Sequence, residues 1–151
     1  MKEAECIEGS FHLTGGDFNN AGAASSELKA ILTKRGISQD LVRKAAIATF
    51  EAEMNVIIHA VAGVIHYSVA ADMIRITIND MGPGIPDIEL AMQEGFSTAP
   101  DWVREMGWGA GMGLPNMKKN SDEFRIETVL GEGTTVDMII YTRKGPCQAG
   151  P

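Results

Sequence analysis

The chain has 151 residues, 44% apolar and 22% charged, enough for one domain with a buried core and too little for two ordinary ones. Its 13 basic and 20 acidic residues give a formal net charge of -7, which speaks against nucleic acid as a partner, since phosphate-backbone affinity needs clustered Lys and Arg. Cys6 and Cys147 match no metal-binding spacing and read as reduced thiols, and no apolar run reaches the roughly 18 residues of a membrane span or forms a signal core, so a cytoplasmic protein is expected.

In chain order, residues 5–14 are expected as a first strand, closed by the turn Gly15-Gly16-Asp17. Asn19 and Asn20 read as caps of a helix running to Lys34, where Arg35 and Gly36 end it. Ser38 is the expected cap of a longer helix, 39–61, with Ile47, Phe50, Met54, Ile57 or Ile58, and Val61 as its apolar face. Glu51, Asn55 and His59 recur every fourth residue, so they form one polar stripe bordering that face. Strands at 63–70 and 73–80 follow. In the second, Ile74, Ile76 and Ile78 alternate with polar residues, and Asp80 shares the parity of the isoleucines. A charge on that side needs a partner. A short helix at 86–93, a long loop at 95–113, a helix opened by Pro115 and running to Asn120, and a hairpin of 123–130 and 134–142 complete the order, with a frayed tail from Lys144. Strands with segregated helices imply an α/β two-layer sandwich, a mixed and mainly antiparallel sheet with helices on one face, in a single domain of residues 1–143.

Four patterns carry chemistry. Glu51 and Asn55 set a carboxylate and an amide one turn apart, suited to proton abstraction and to a hard cation such as Mg2+. Asp80, Gly82, Gly84 and Ile85 place an inward carboxylate beside glycines that let a backbone approach a flat base. The run Gly107, Gly109, Gly111, Met112, Gly113, Leu114 leads straight into a helix start, where backbone N–H groups hold phosphates. It is neither a Rossmann fingerprint nor a Walker A loop, because no βαβ unit surrounds it and no Gly-Lys-Ser/Thr follows. Last, Gly131 and Gly133 turn a hairpin, and the hydroxyl of Thr134 just beyond it can reach the base-binding carboxylate.

Taken together and in this order, the patterns resemble the Bergerat-type (GHKL) ATP-binding superfamily. The stretches DMGPGIPDIELAMQEGFST, GAGMGLPNMKKNSDEFRIET and GEGTTV are similar to its bacterial anti-sigma-factor and serine/threonine-kinase branch. The resemblance spans residues 40–141. It implies ATP and Mg2+ as cofactors, with Asn55 on the Mg2+, Asp80 on adenine, and Gly82, Gly84 and Ile85 shaping the base pocket. It also implies that Gly109, Gly111, Met112, Gly113 and Leu114 cradle the phosphates under a mobile lid, that Thr134 sits behind the base, that His59 lines the pocket, and that Glu51 is the general base. The partner implied is a small protein, an antagonist or scaffold domain or a sigma factor, and members are often homodimers. The lid segment with Trp102, Arg104 and Trp108 is longer than this branch leads one to expect. Three readings stay open: a Ser/Thr protein kinase, a sequestering module in which ATP only sets conformation, and a nucleotide-gated accessory domain.

Overall fold

The computed structural model describes residues 6–93 and 113–142; the glycine run as far as Met112, with Trp102, Arg104 and Trp108, and the tail with Cys147 lie outside the described residues. The elements run β1 (Ile7–Thr14), a 3-10 turn (Phe18–Asn20), α1 (Ala23–Lys34), α2 (Gln39–His59), β2 (Ala62–Val69), β3 (Met73–Met81), α3 (Ile88–Ala91), α4 (Gly113–Lys119), β4 (Glu123–Val129) and β5 (Gly133–Tyr141). The strands form one open sheet in the order β1-β2-β3-β5-β4. All four pairings are antiparallel, so the described sheet contains no parallel pair.

Alternation in the strands makes two faces. Ile65, Val69, Ile74, Ile76, Ile78, Val136, Met138 and Ile140 are buried and share one core with Leu28 and Leu32 of α1, Val42, Ala45, Ala48, Ala52 and Val56 of α2, and Leu114 and Met117 of α4. Each fully buried aliphatic side chain contributes about 1.5–3 kcal/mol, and together they hold the helical layer on the sheet. The opposite face carries polar residues, among them Arg75, whose guanidinium bonds Asp137 on the neighbouring strand. No described helix is long and apolar enough to cross a membrane.

Three expectations need correction. Neither Asn19 nor Asn20 caps a helix. Asn20 instead donates to both carboxylate oxygens of Asp17 at 3.0 and 2.9 Å, closing the 3-10 turn, and α1 starts only after Gly22, which sits in the left-handed region at φ 94°. The buried face of α2 is built largely of small residues, Ala45, Ala48, Thr49 and Ala52, with Met54 and Ile57, whereas Ile47 and Phe50 are only half-buried. Val61 lies beyond the helix and is 74% exposed. The buried face is thus marked by small residues that a search for bulky apolar side chains passes over. Finally, α4 begins at Gly113, two residues before Pro115, so the proline falls in the first turn, where its missing N–H costs nothing.

Candidate functional site

The last residues of β3 and the β4–β5 hairpin build one end of the site. Asp80 keeps the parity of Ile74, Ile76 and Ile78, so its half-buried carboxylate points to the helical side, as expected. Its Oδ1 accepts the Thr134 N–H at 3.1 Å. Desolvation is the largest influence on Asp80 and raises its pKa; bonds from the backbone N–H groups of Thr134 and Gly82 only partly offset it. The carboxylate is therefore partly desolvated and has acceptor capacity beyond these two bonds, which suits an amine donor such as adenine N6.

Glycines make this geometry. A methyl group at Gly133, whose φ is 152°, would lie 2.0 Å from the Asp80 carbonyl oxygen. Gly84 has φ 81°, and a methyl there would lie 2.8 Å from the Val129 carbonyl oxygen. The loop after β3 is also tied to the hairpin: the Gly131 N–H donates to the Pro83 carbonyl at 2.8 Å, and the Ile85 N–H donates to Thr128 Oγ1 at 2.8 Å. Thr128 Oγ1 lies 3.3 Å from the Gly133 carbonyl and 3.0 Å from Thr134 Oγ1. If Thr128 gives its one proton to the carbonyl, Thr134 donates to Thr128, and the buried Thr134 hydroxyl keeps acceptor capacity.

The helical wall is the stripe on α2. Glu51 and Asn55 are half-buried one turn apart, and His59 follows at the helix end with an exposed edge. Desolvation lowers the pKa of His59, so its imidazole stays neutral at neutral pH. Glu51 Oε2 accepts the Asn116 Nδ2 at 3.0 Å, and a methyl at Gly113 would lie 3.7 Å from Glu51 Oε1. The start of α4 thus stands against the acid of α2, with Leu114 buried beneath it. Of the expected phosphate cradle, Gly113 and Leu114 are placed here; Gly109, Gly111 and Met112 lie outside the described residues.

The described residues include no group of three or more His, Cys, Asp or Glu that could cage a metal. Mg2+ commonly takes one or two protein oxygens and fills its octahedron with phosphates and water. The Asn55 amide oxygen is a hard donor of that kind, so it fits Mg2+ bound together with a nucleotide and leaves the Glu51 carboxylate to act as a base.

Three further residues hold the site and were not singled out from the sequence. Glu53, 1% exposed, accepts the N–H groups of Gly22, Ala24 and Ser25 at 3.1–3.2 Å and so supplies the cap that Asn19 and Asn20 do not. Asn116 orients Glu51. Thr128 ties the loop after β3 to the hairpin. Thr128 left a readable sign, a hydroxyl at the inward parity of Phe124 and Ile126.

Comparison with known proteins agrees with this geometry. The profile of the histidine kinase-like ATPase domain matches residues 17–140. The chain is 36% identical over 119 residues to the serine/threonine-protein kinase RsbT of Bacillus subtilis (strain 168), covering 72% of this chain and 84% of that one. It is also 36% identical over 104 residues to an anti-sigma F factor of Geobacillus stearothermophilus, covering 65% of each. A solved structure of the RsbU and RsbW domains of a Mycobacterium tuberculosis protein superposes with a TM-score of 0.57 at 18% identity, over 91% of this chain and 34% of the other, and shows the shared fold.

Proposed function

Because the chain belongs to the family of histidine kinase-like ATPase domains, we propose that it is an ATP-binding switch protein, a Ser/Thr protein kinase of the anti-sigma type acting on a small protein partner with Mg-ATP. Two local arrangements support the reading: the Asp80 carboxylate bonded to the Thr134 N–H at the end of β3, and Glu51 of α2, one turn from Asn55, set against Asn116 and Gly113 of α4. The resemblance to RsbT and to anti-sigma F factors supports the choice of partner chemistry.

In this reading Asp80 accepts a hydrogen bond from the exocyclic amine of adenine, and the Thr134 hydroxyl lies behind the base. Asn55 holds Mg2+, which supplies charge neutralisation on the phosphates when bound. N–H groups at the start of α4 face the phosphate chain. Glu51, aimed by Asn116, takes the proton of a Ser or Thr hydroxyl of the partner as that oxygen bonds the terminal phosphorus and the bond to the ADP oxygen breaks. His59, neutral and at the end of the same stripe, offers a hydrogen bond without adding charge.

Calorimetric titration with ATP and Mg2+ tests the pocket, and radiolabel transfer to a candidate partner tests the kinase. Wild type should bind ATP, and Asn55→Ala should bind it markedly less tightly when Mg2+ is present. Glu51→Ala should keep ATP and partner binding while transfer falls by about 100-fold or more. ATP binding with no transfer to any partner hydroxyl would leave a sequestering module; no ATP binding would remove the pocket assignment itself.

A further inference from the structure

We propose that the side-chain oxygen of Asn116 is a specificity-determining contact, which accepts the backbone N–H of the Ser or Thr that is to be phosphorylated while Glu51 takes its hydroxyl proton. It rests on the kinase reading and deepens it, by naming the main-chain group through which the acceptor residue is recognised.

The orientation of the Asn116 amide follows from its partner. An ionised carboxylate can only accept, so it is Nδ2 that must face Glu51 Oε2, at 3.0 Å. The Oδ1 on the same carbon then stands beside that carboxylate, and no described residue donates to it. Glu51 Oε1 has no described donor either. Glycine at 113 puts no side chain beside it, since a methyl there would lie 3.7 Å away. Glu51 and Asn116 are both half-buried, so each keeps an edge that another molecule can reach. Two acceptor oxygens, one charged and one neutral, are thus held next to each other with capacity to spare.

α4 holds the amide in place. Gly113 and Asn116 lie one turn apart on it, both against Glu51. Leu114 and Met117 anchor the helix in the core, and the Asn120 side chain donates to the Asn116 carbonyl at 2.8 Å. A Ser or Thr in a peptide matches the pair. Two carbons separate its hydroxyl from its own N–H, so one can meet Glu51 Oε1 while the other meets Asn116 Oδ1. In Tyr the ring sets the two groups too far apart. An amide suits the position because it donates to the acid on one side and accepts on the other, without adding a second negative charge. In the transfer, the hydroxyl proton passes to Glu51 as the oxygen bonds the terminal phosphorus and the bond to the ADP oxygen breaks. The products are the phosphorylated residue and ADP. The N–H keeps its proton and fixes the angle of approach.

The test uses the full chain, Mg-ATP labelled on the terminal phosphate, and two mixtures of capped pentapeptides with a central serine. In one mixture the serine nitrogen is free; in the other it is methylated. Wild type should phosphorylate the first about tenfold or more faster, because a site built to bond an N–H rejects the analogue that lacks it. Asn116→Ala should be slower on both and lose the discrimination, whereas Asn116→Gln, which keeps donor and acceptor, should recover most of it. A purely structural role would lower both rates by the same factor and leave the ratio intact. Equal use of the two mixtures by wild type, unchanged discrimination in Asn116→Ala, or release of the label only as free phosphate from protein that binds ATP would each overturn the proposal. ATP titration of the same samples reports separately on the nucleotide pocket, and a protein that binds no ATP removes the kinase reading and this contact with it.

Discussion

In the proposed pocket, Asp80 is the side chain that would couple binding to pH. Its raised pKa means that the folded protein takes up a proton before the unfolded chain does, so ionised Asp80 costs stability at neutral pH, and the cost fades as pH falls through the folded value. Only the ionised form accepts freely from an amine, so ATP affinity should fall on acidification at a higher pH than an ordinary Asp would give. Asp80→Asn keeps an oxygen for the Thr134 and Gly82 N–H groups and removes the desolvated charge. It should melt at the wild-type temperature or above while ATP binding weakens about 10–100-fold, as expected for one lost charged hydrogen bond; calorimetry and thermal melts of the same sample decide it. Asp137 has the opposite sign. Partial desolvation pushes its pKa up, but bonds from Arg75 and Thr77 and the charges of Arg75 and Arg125 outweigh this and hold it below the usual value. Its contribution is present above the unfolded pKa of 3.8 and is lost as pH falls through the folded one. Glu53 ties the start of α1 to α2. Glu53→Ala strips three N–H groups of their acceptor, each worth about 1–3 kcal/mol if left buried and unpaired. The melting temperature should fall by about 6 °C or more.

At the scale of elements, the hairpin of β4 and β5 is held against the end of β3 by the absence of a side chain. Gly133→Ala would drive a methyl into the Asp80 carbonyl, so it should both destabilise the protein, by about 1–3 kcal/mol, and weaken ATP binding, readable in a denaturation curve and a titration. The strands and the Glu51, Asn55, His59 stripe were legible because period 2 and period 4 are local properties of a sequence, and Asp80 was legible because its parity clashed with its charge. The α1 cap was not. Its carboxylate comes from Glu53, 28–31 residues further on, and no local pattern links the two. The contact face of α2 was misread for a related reason. Its buried positions include Ala45, Ala48 and Ala52, which a search for large apolar residues passes over.

For the whole molecule, the sheet order has a kinetic consequence. β2–β3 and β4–β5 are hairpins of neighbours in the chain, but the pairing of β3 with β5 joins Thr77 to Asp137 across 60 residues, and Asp80 and Thr134, the groups proposed to face the nucleotide, stand on the two sides of that junction. Closing so long a loop is an entropic barrier that local hairpins do not share. A nucleotide held by Asp80 and Thr134 at once can bind only after the junction has closed. It should therefore leave the refolding rate almost unchanged and slow unfolding, with the whole gain in stability in the unfolding arm of the chevron. The nucleotide would act as a latch on the completed sheet, and residence in the folded state would track its cellular supply.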